Sequence, residues 1–231
     1  MGTIQELSLV SVVIPTLNAA QTLPQVRAAL HSAPLVAEIV VADGGSVDET
    51  NAVAERAGMR VVVSRRGRGA QLAAGAAAAS SDWLLFLHAD CVLASGWTEA
   101  VAAFIAAPRA AGCAGYFDLA LDDATPAARR LERIVAWRCR VLALPYGDQG
   151  LLISRTLYDA VGGFAPLPLM EDDDLARRLG RRRLARIGAS CIASARRYRR
   201  DGYWRRPLRN LLCLSLYLAG LPPERLLRLY G

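Results

Sequence analysis

The stretch that decides the fold is Trp83-Leu84-Leu85-Phe86-Leu87-His88-Ala89-Asp90-Cys91. Its five consecutive apolar residues are typical of a strand that is buried on both faces, as in a parallel sheet covered by helices. Open sheets of this class bind ligands at the carboxyl ends of their strands. Because His88 and Asp90 are two residues apart, an extended chain directs both side chains to the same side. The stretch alone predicts either a site for a cation or substrate hydroxyl, or a plain strand end capped by Asp90.

The chain before this stretch alternates short apolar strands with helical patterns. Strands are predicted over 9–14, 36–42 and 60–64, and helices over 19–31, 46–57 and 71–79. The second of these helices is predicted from a capping box, with Ser46 as N-cap and Glu49 three residues later. Regular alternation of strand and helix predicts an α/β fold, with a doubly wound, mostly parallel sheet and helices on both faces.

The second half of the chain is less regular. Strands are predicted over 115–121, 151–154 and 184–193, and helices over 96–107, 127–144 and 170–179. The tail from residue 205 to 230 is predicted to form two short amphipathic, basic helices that separate at 220–223. Because no internal repeat or linker is present, we expect one continuous domain.

Charge and cysteine content restrict the partners and the compartment. The net charge is +7. From Arg177 onward the chain has fifteen arginines and only two acidic residues before its last position, Asp201 and Glu224, which favours an anionic partner. Five scattered cysteines without a C-x-x-C pair predict no structural zinc site and free thiols in a reducing cytoplasm. Residues 1–6 lack a basic segment followed by an apolar one, so we expect no signal peptide.

Carboxylates at the ends of predicted elements remain after the common motifs are excluded. The chain has no dinucleotide fingerprint after its first strand, no P-loop and no G-x-S-x-G sequence. Asp43 is followed by two glycines and is predicted either to bind a nucleobase or ribose or to form a simple turn. The acidic run 171–174 opens a helix, where one acid is expected to act as a general base and the others to stabilise the helix start. Arg196 and Arg197 are expected to clamp phosphate.

Several short motifs occur in an order that is typical of a known enzyme family. They are Val12-Val13-Ile14-Pro15-Thr16-Leu17-Asn18, Asp43-Gly44-Gly45-Ser46, Leu85-Phe86-Leu87-His88-Ala89-Asp90, Gly162-Gly163-Phe164 and Glu171-Asp172-x-x-Leu175. Together they resemble a family-2 glycosyltransferase with the GT-A fold, a Rossmann-like doubly wound arrangement. Gly147-Asp148-Gln149-Gly150 and Ser194-Ala195-Arg196-Arg197-Tyr198 further resemble a short bacterial subgroup labelled arsenosugar-biosynthesis glycosyltransferases.

The resemblance implies that a sugar is transferred, with inversion, from a nucleotide-diphosphate sugar to a hydroxyl acceptor that the sequence does not identify. A UDP-sugar is the first donor to consider. Residues 1–93 would form the donor-binding half of a single domain over 1–231, and residues 94–231 the acceptor half with the basic helical tail. The implied donor-binding residues are Pro15, Thr16, Asn18, Asp43, Arg68, Gln71, His88, Ala89 and Asp90.

The resemblance also implies the catalytic groups. Asp172 matches the general base, and Asp90 matches the last Asp of a D-x-D motif that reaches a divalent cation, Mn²⁺ or Mg²⁺, on the diphosphate. His88 replaces the first Asp of that motif, and imidazole suits Mg²⁺ poorly, so we assign the cation to Asp90 and place His88 at the ribose or behind the metal ligands. The Q-x-x-R-W motif of longer members is absent. The implied acceptor or phosphate contacts are Asp148, Glu171, Arg196 and Arg197.

Two other functions remain open at this point. A sugar-phosphate nucleotidylyltransferase shares the sheet architecture, but it would need a glycine-rich loop where this chain has Pro15-Thr16-Leu17-Asn18. A non-catalytic basic module for RNA or anionic membrane would explain the arginines, although no nucleic-acid-binding module is evident and we predict no nucleic-acid partner. The leucines of the tail face either the inner side of a membrane, the sheet, or a second subunit in a homodimer. They are Leu208, Leu211, Leu212, Leu216 and Leu226.

Overall fold

The computed structural model describes residues 9–31 and 33–230. The strands are β1 (Val10–Thr16), β2 (Val36–Asp43), β3 (Arg60–Val63), β4 (Trp83–Phe86), β5 (Cys91–Leu93), β6 (Ala114–Leu121), β7 (Leu151–Ser154) and β8 (Leu184–Ala193). The helices are α1 (Leu23–Leu30), α2 (Thr50–Arg56), α3 (Arg68–Ala78), α4 (Trp97–Ala106), α5 (Pro126–Leu142), α6 (Arg155–Ala160), α7 (Glu171–Leu179), α8 (Arg196–Asp201), α9 (Arg205–Leu218) and α10 (Pro223–Tyr230). Single-turn 3-10 helices lie at Ala110–Gly112, Gly147–Gln149 and Arg181–Arg183.

The described strands form one eight-stranded sheet in the order β3-β2-β1-β4-β7-β6-β8-β5. Six strands run in one direction, because only β7 and β5 pair antiparallel to their neighbours. From β1 the chain first builds outward through β2 and β3 and then returns to the other side of β1 as β4. This change of direction leaves a crevice outside the carboxyl ends of β1 and β4, where open α/β sheets bind ligands.

Apolar side chains of the sheet alternate between two core layers. Val12 packs in the layer that includes helices α1, α2, α4 and α5, whereas Val13 packs in the layer that includes α3, α6 and α7. Gly75 permits α3 to lie close to the sheet, because a Cβ atom there would overlap the side chain of Val13. The predicted α/β fold with helices on both faces of a mostly parallel sheet is therefore confirmed.

Several local predictions were wrong or incomplete. The capping box was wrong because α2 begins at Thr50, while the hydroxyl of Ser46 donates to Asp43 instead of capping a helix. Strand β5 and the short helices α6 and α8 were not predicted, since segments of three to six residues are too short to show a hydrophobic period.

The two predicted halves of the domain share the sheet. β4 pairs with β7 from the second half, and β5 lies at the far edge beside β8. The sheet is therefore continuous across the two halves that meet at residue 93. The expectation of no signal peptide concerns residues 1–6, which lie outside the described residues. Among the helices of the described ranges, none has the length and apolar character that crossing a bilayer requires.

Candidate active site

Two neighbouring cavities lie at the carboxyl ends of β1 and β4. The larger, which we call the basic cleft, has a volume of about 570 Å³, and the smaller, the inner cavity, has about 120 Å³. Arg68, His88, Asp90, Ser194 and Arg197 line both, so the two spaces meet at a shared wall. The predicted residues on the basic cleft are Pro15, Thr16, Asn18, Arg68, Gln71, His88, Ala89, Asp90, Arg196 and Arg197. The predicted residues on the inner cavity include Asp148, Glu171 and Asp172.

The basic cleft is strongly cationic. Five arginines line it, and Asp90 is the one acid among its described lining residues. Guanidinium groups match the oxygens of phosphate in geometry and charge, so the cleft suits a diphosphate. Sequence reasoning missed Arg66, Arg200 and Ser194, although the basic glycine-rich loop 65–69 and the arginine run 196–200 were signals for two of them.

Asp43 is not among the described residues that line either cavity, and 1% of its surface is exposed. Its two carboxylate oxygens accept hydrogen bonds from the Thr16 hydroxyl, the Gly45 amide and both the amide and hydroxyl of Ser46. Burial alone would raise the pKa of Asp43, but these hydrogen bonds outweigh it and hold the pKa below its usual value. Because both oxygens are occupied, the predicted contact of Asp43 with a nucleobase requires this network to open.

Gln71 and Asn18 also hold the loops of the cleft together. The Gln71 side-chain amide donates to the carbonyl oxygens of Thr16 (2.6 Å) and Ala42 (3.0 Å), which joins the ends of β1 and β2. The Asn18 side chain accepts from the Val47 amide at 2.9 Å. Both side chains therefore shape the cleft through the backbone, and their predicted contacts with a nucleoside stay predictions.

The segment that follows β4 brings three potential metal-binding side chains together. One ligand atom each from His88, Asp90 and Cys91 lies within 4.8 Å of the others. Burial, with the nearby positive charges of Arg68 and Arg197, holds the pKa of His88 well below its usual value, so the imidazole is neutral. A hydrogen bond with Cys191 and burial raise the pKa of Cys91 well above its usual value, so its sulfur remains a thiol.

Ligand chemistry decides which of these side chains fit a divalent cation on a diphosphate. Sulfur suits softer metals than Mn²⁺ or Mg²⁺, whereas a carboxylate suits both of these ions and a neutral imidazole suits Mn²⁺ better than Mg²⁺. The Nε2 atom of His88 is buried and has no hydrogen-bond partner within the described residues. This pattern makes His88 a candidate second ligand beside Asp90, whereas sequence reasoning assigned the cation to Asp90 alone.

Gly147 separates His88 from Asp172. Its amide donates to Oδ2 of Asp172 at 2.9 Å. A Cβ atom on Gly147 would overlap Nε2 of His88 and lie 2.5 Å from that same carboxylate oxygen. The absence of a side chain here therefore lets the imidazole, the turn and the carboxylate approach closely.

The acidic run at the start of α7 divides into different environments. Glu171 is buried and lies 3.2 Å from Nη1 of Arg68, while Asp174 forms an ion pair with Arg178 on the outer side. Burial, followed by the Glu171 charge, raises the pKa of Asp172 well above its usual value, and Arg68 opposes the rise. Burial also raises the pKa of Asp173, to about 7. A carboxylate with a raised pKa is a stronger proton acceptor, which is the property that a general base requires.

Asp148 is held in a single-turn helix by two neighbouring side chains. Gln149 donates to the Phe117 carbonyl at 2.9 Å and accepts from Arg138 at 3.2 Å. The guanidinium of Arg138 stacks 3.5 Å above the ring centre of Tyr146. Burial raises the pKa of Asp148, and its Oδ1 atom has no hydrogen-bond partner within the described part of the chain. Asp148 thus lines the inner cavity and carries one buried carboxylate oxygen that has no partner among the described residues.

The C-terminal helices border the inner cavity. Arg206 and Tyr230 line it, and the Arg206 guanidinium lies 4.4 Å from the ring centre of Tyr230. Leu226 is buried in a cluster with Leu169 and Met170, just before α7. Of the tail leucines, Leu216 is half-buried beside this cluster, whereas three remain more than half exposed: Leu208, Leu211 and Leu212. The tail therefore packs in part on the domain itself.

Comparison with known proteins gives one family. Residues 11–170 match the family described as Glycosyl transferase family 2. A PGL/p-HBAD biosynthesis glycosyltransferase of Mycobacterium tuberculosis is 41% identical over 113 residues, which cover 41% of this chain and 41% of that protein. An uncharacterized glycosyltransferase of Mycobacterium tuberculosis is 39% identical over 88 residues, covering 38% of this chain and 39% of that protein. The chain thus spans about two fifths of the length of the curated relatives it matches.

Solved structures show the same architecture. A crystal structure of glucosyl-3-phosphoglycerate synthase from Mycobacterium tuberculosis, in complex with Mn²⁺, UDP-glucose and phosphoglyceric acid, has a TM-score of 0.56 and 26% identity. The match covers 81% of this chain and 75% of that chain. None of the proteins described above bears the arsenosugar label, which stays a prediction.

The family match bears on the three functions that the sequence left open. It favours the sugar-transferring enzyme over both the nucleotidylyltransferase and the non-catalytic basic module. Because the match extends over more than half of the 231 residues and the fold is of the GT-A type, this chain belongs to glycosyl transferase family 2.

Proposed function

We propose that this chain transfers a sugar from a nucleotide-diphosphate sugar to a hydroxyl acceptor with inversion at the anomeric carbon. The observation that carries the proposal is the wall shared by the basic cleft and the inner cavity. A diphosphate on the arginines of the cleft would bring a sugar to this wall, next to the Asp172 carboxylate. The two reacting partners would then approach from opposite spaces, as inversion requires.

The donor would occupy the basic cleft. Pro15, Thr16 and Asn18 would lie along the nucleoside, while Arg68, Arg196 and Arg197 would bind the diphosphate. A UDP-sugar is the first donor to test, because the similar synthase from Mycobacterium tuberculosis was crystallised with UDP-glucose.

Asp90, with His88 as a candidate second ligand, would hold a divalent cation at the diphosphate. The Mn²⁺ in that same synthase structure supports this choice of ion. When bound, such a cation stabilises the negative charge that develops on the leaving diphosphate. Arg68 and Arg197, which lie on the shared wall, would stabilise the same charge.

In the chemical step, the acceptor oxygen bonds to the anomeric carbon as the bond from that carbon to the phosphate oxygen breaks. The bonding electrons leave with the diphosphate, and Asp172 takes the proton of the attacking hydroxyl. The Gly147 amide, which donates to Oδ2 of Asp172, holds the carboxylate in place, and Asp148 would position the acceptor.

Replacement of Asp172 by Asn tests the role of the base. The amide keeps the shape of the side chain but cannot accept the proton, so turnover should fall by roughly 10²- to 10⁴-fold. Affinity for UDP-glucose with Mn²⁺, measured by calorimetry, should stay nearly unchanged. Asp174→Asn is the matched control, because Asp174 belongs to the same acidic run but pairs with Arg178 on the outer side. Equal loss of nucleotide binding and turnover in Asp172→Asn would show that Asp172 is not the base.

The location of the protein and its assembly also stay predictions. The five cysteines are free, which supports a reducing cytoplasm. Exposed Leu208, Leu211 and Leu212, together with the basic tail, support contact with the inner face of a membrane or with a second copy of this chain. Co-sedimentation with anionic vesicles and measurement of the mass in solution separate these two cases.

A further inference from the structure

An apolar groove of about 310 Å³ lies between α5 and α9. This volume falls in the range of roughly 300–1,000 Å³ that is common for small-molecule sites. The groove shares Tyr146, Asp148, Tyr198 and Asn210 with the inner cavity, but none of its described lining residues with the basic cleft. The groove therefore borders the inner cavity on the side that the donor does not use.

The walls of the groove are apolar and open to solvent. α5 contributes Ile134 and Trp137, and Trp204 with α9 contributes the facing wall with Leu208 and Leu211. These five side chains are between 49% and 62% exposed. A contiguous apolar surface of this kind marks a binding site more often than an accident of packing.

The inner end of the groove has the opposite character. Asp148 and Asn210 line this end together with Tyr146 and Tyr198. Asp148 and Asn210 each carry a buried Oδ1 atom that lacks a hydrogen-bond partner among residues 9–31 and 33–230. The groove thus combines a long apolar section with a polar end that borders the inner cavity.

We infer that the groove holds the apolar body of an amphiphilic acceptor, such as a long-chain or arylalkyl alcohol, with its hydroxyl at the inner end. There the hydroxyl forms a hydrogen bond with Asp148 or Asn210. From this position it approaches Asp172, which lines the same inner cavity. The inference rests on the proposed function and names the chemical class of the acceptor.

Other occupants explain less of the groove. A bilayer surface or the helix of a second copy would cover the exposed side chains of α9, but it would not explain why the inner end of the groove is lined by polar residues beside the inner cavity. An anionic ligand is disfavoured, because the groove's two arginines are already engaged. Arg130 stacks on Trp204 at 5.6 Å from the ring centre, and Arg138 stacks on Tyr146.

A series of 1-hexanol, 1-octanol and 1-decanol tests the inference on the full-length chain. Binding can be followed by tryptophan fluorescence, since Trp137 and Trp204 line the groove while Trp83 and Trp97 are buried in the core. Each pair of added methylene groups should lower Kd roughly fifteenfold, because each buried methylene contributes about fourfold. An affinity that does not change with chain length would overturn the inference.

Two adjacent residues of α9 provide a matched pair of variants. Leu211 lines the groove and is 58% exposed, whereas Leu212 is 52% exposed and is not among the described residues that line it. Leu211→Ser should weaken octanol binding roughly fivefold to tenfold, and Leu212→Ser should leave it unchanged. Equal weakening in both variants would instead indicate a general apolar surface, and a Kd that varies with protein concentration would indicate a second copy; either result contradicts the inference.

Binding of UDP-glucose with Mn²⁺, measured on the same samples, separates this inference from the proposed function. Leu211→Ser should bind the donor like the unaltered chain, because Leu211 does not line the basic cleft. If the donor binds but the alcohols show no dependence on length, only the acceptor inference fails. If no nucleotide sugar binds while the alcohol series behaves as expected, the proposed function fails instead.

Discussion

The basic cleft and the apolar groove meet at the inner cavity but are built in different ways. The cleft is formed largely by strand ends and the loops that follow them, such as residues 15–19 at the end of β1 and 88–90 after β4. The groove is formed by α5 and α9, which are about 60 residues apart in the chain and meet only in the folded protein. A site made of strand ends carries local sequence motifs, whereas a site made of helix faces carries none.

Turnover should be most sensitive to substitutions at the inner cavity, where the basic cleft and the apolar groove meet. In Gly147→Ala, the new Cβ would overlap His88 and press on the Asp172 carboxylate. Because a displacement of about 1 Å can cost about 100-fold in rate, we expect turnover to fall by about two orders of magnitude. Steady-state kinetics would measure the fall, with circular dichroism to verify folding.

Gly112→Ala is the control for this variant. No atom lies within 4 Å of the Cβ that would be added at Gly112, so its kinetics should not change. Normal turnover in Gly147→Ala would mean that the junction tolerates movement and that the cleft and the groove need no tight alignment.

Asp90→Ala should affect donor binding but not the groove, because Asp90 lines the basic cleft and the inner cavity only. Loss of the carboxylate removes a cation ligand, so the affinity for UDP-glucose in the presence of Mn²⁺ should fall by roughly tenfold to 100-fold. Octanol binding to the groove should be unaffected. Asp82→Ala, an exposed acid just before β4, is the control. Full activity in excess chelator would refute the role of the cation altogether.

Arg197→Ala should have a smaller effect on donor affinity than Asp90→Ala. Arg197 lines both the basic cleft and the inner cavity, so its loss should raise the donor Kd by about tenfold, the size of one charge-assisted contact. The effect should shrink at high salt. Arg182→Ala removes an equal charge from an exposed 3-10 turn, and equal losses in the two variants would indicate net charge rather than a specific contact.

The pH dependence should show the smallest change. Because Asp172 must be ionised to accept a proton and its pKa is raised, kcat/KM should decline on acidification at a higher pH than for an ordinary aspartate. Burial and the Glu171 charge raise this pKa most, and the charge of Asp173 adds to them. Asp173→Asn should therefore move the acidic limb of the profile to lower pH, whereas Asp174→Asn should not. An unmoved limb in both variants would assign the titration to another group.

Sequence reasoning identified the donor side in more detail than the acceptor side. Asp90 and Asp172 were selected from strand-end and motif patterns, and both line the neighbouring cavities. Tyr146 and Asn210 were not selected, because a single aromatic or amide within a helical or loop pattern has no distinctive spacing. Asp43 was selected as a ligand contact, but the sequence does not show that four donors from Thr16, Gly45 and Ser46 would surround it.

The alternation of strands and helices, the sheet class and the carboxylates at the strand ends follow from sequence, since hydrophobic period and strand termini are local properties of the chain. The tertiary structure alone decided the approach of His88 to Asp172 around Gly147 and the partial burial of the tail through Leu226. It also placed α5 and α9 on the two walls of the groove. These features depend on packing between segments that are far apart in sequence, which no short pattern encodes.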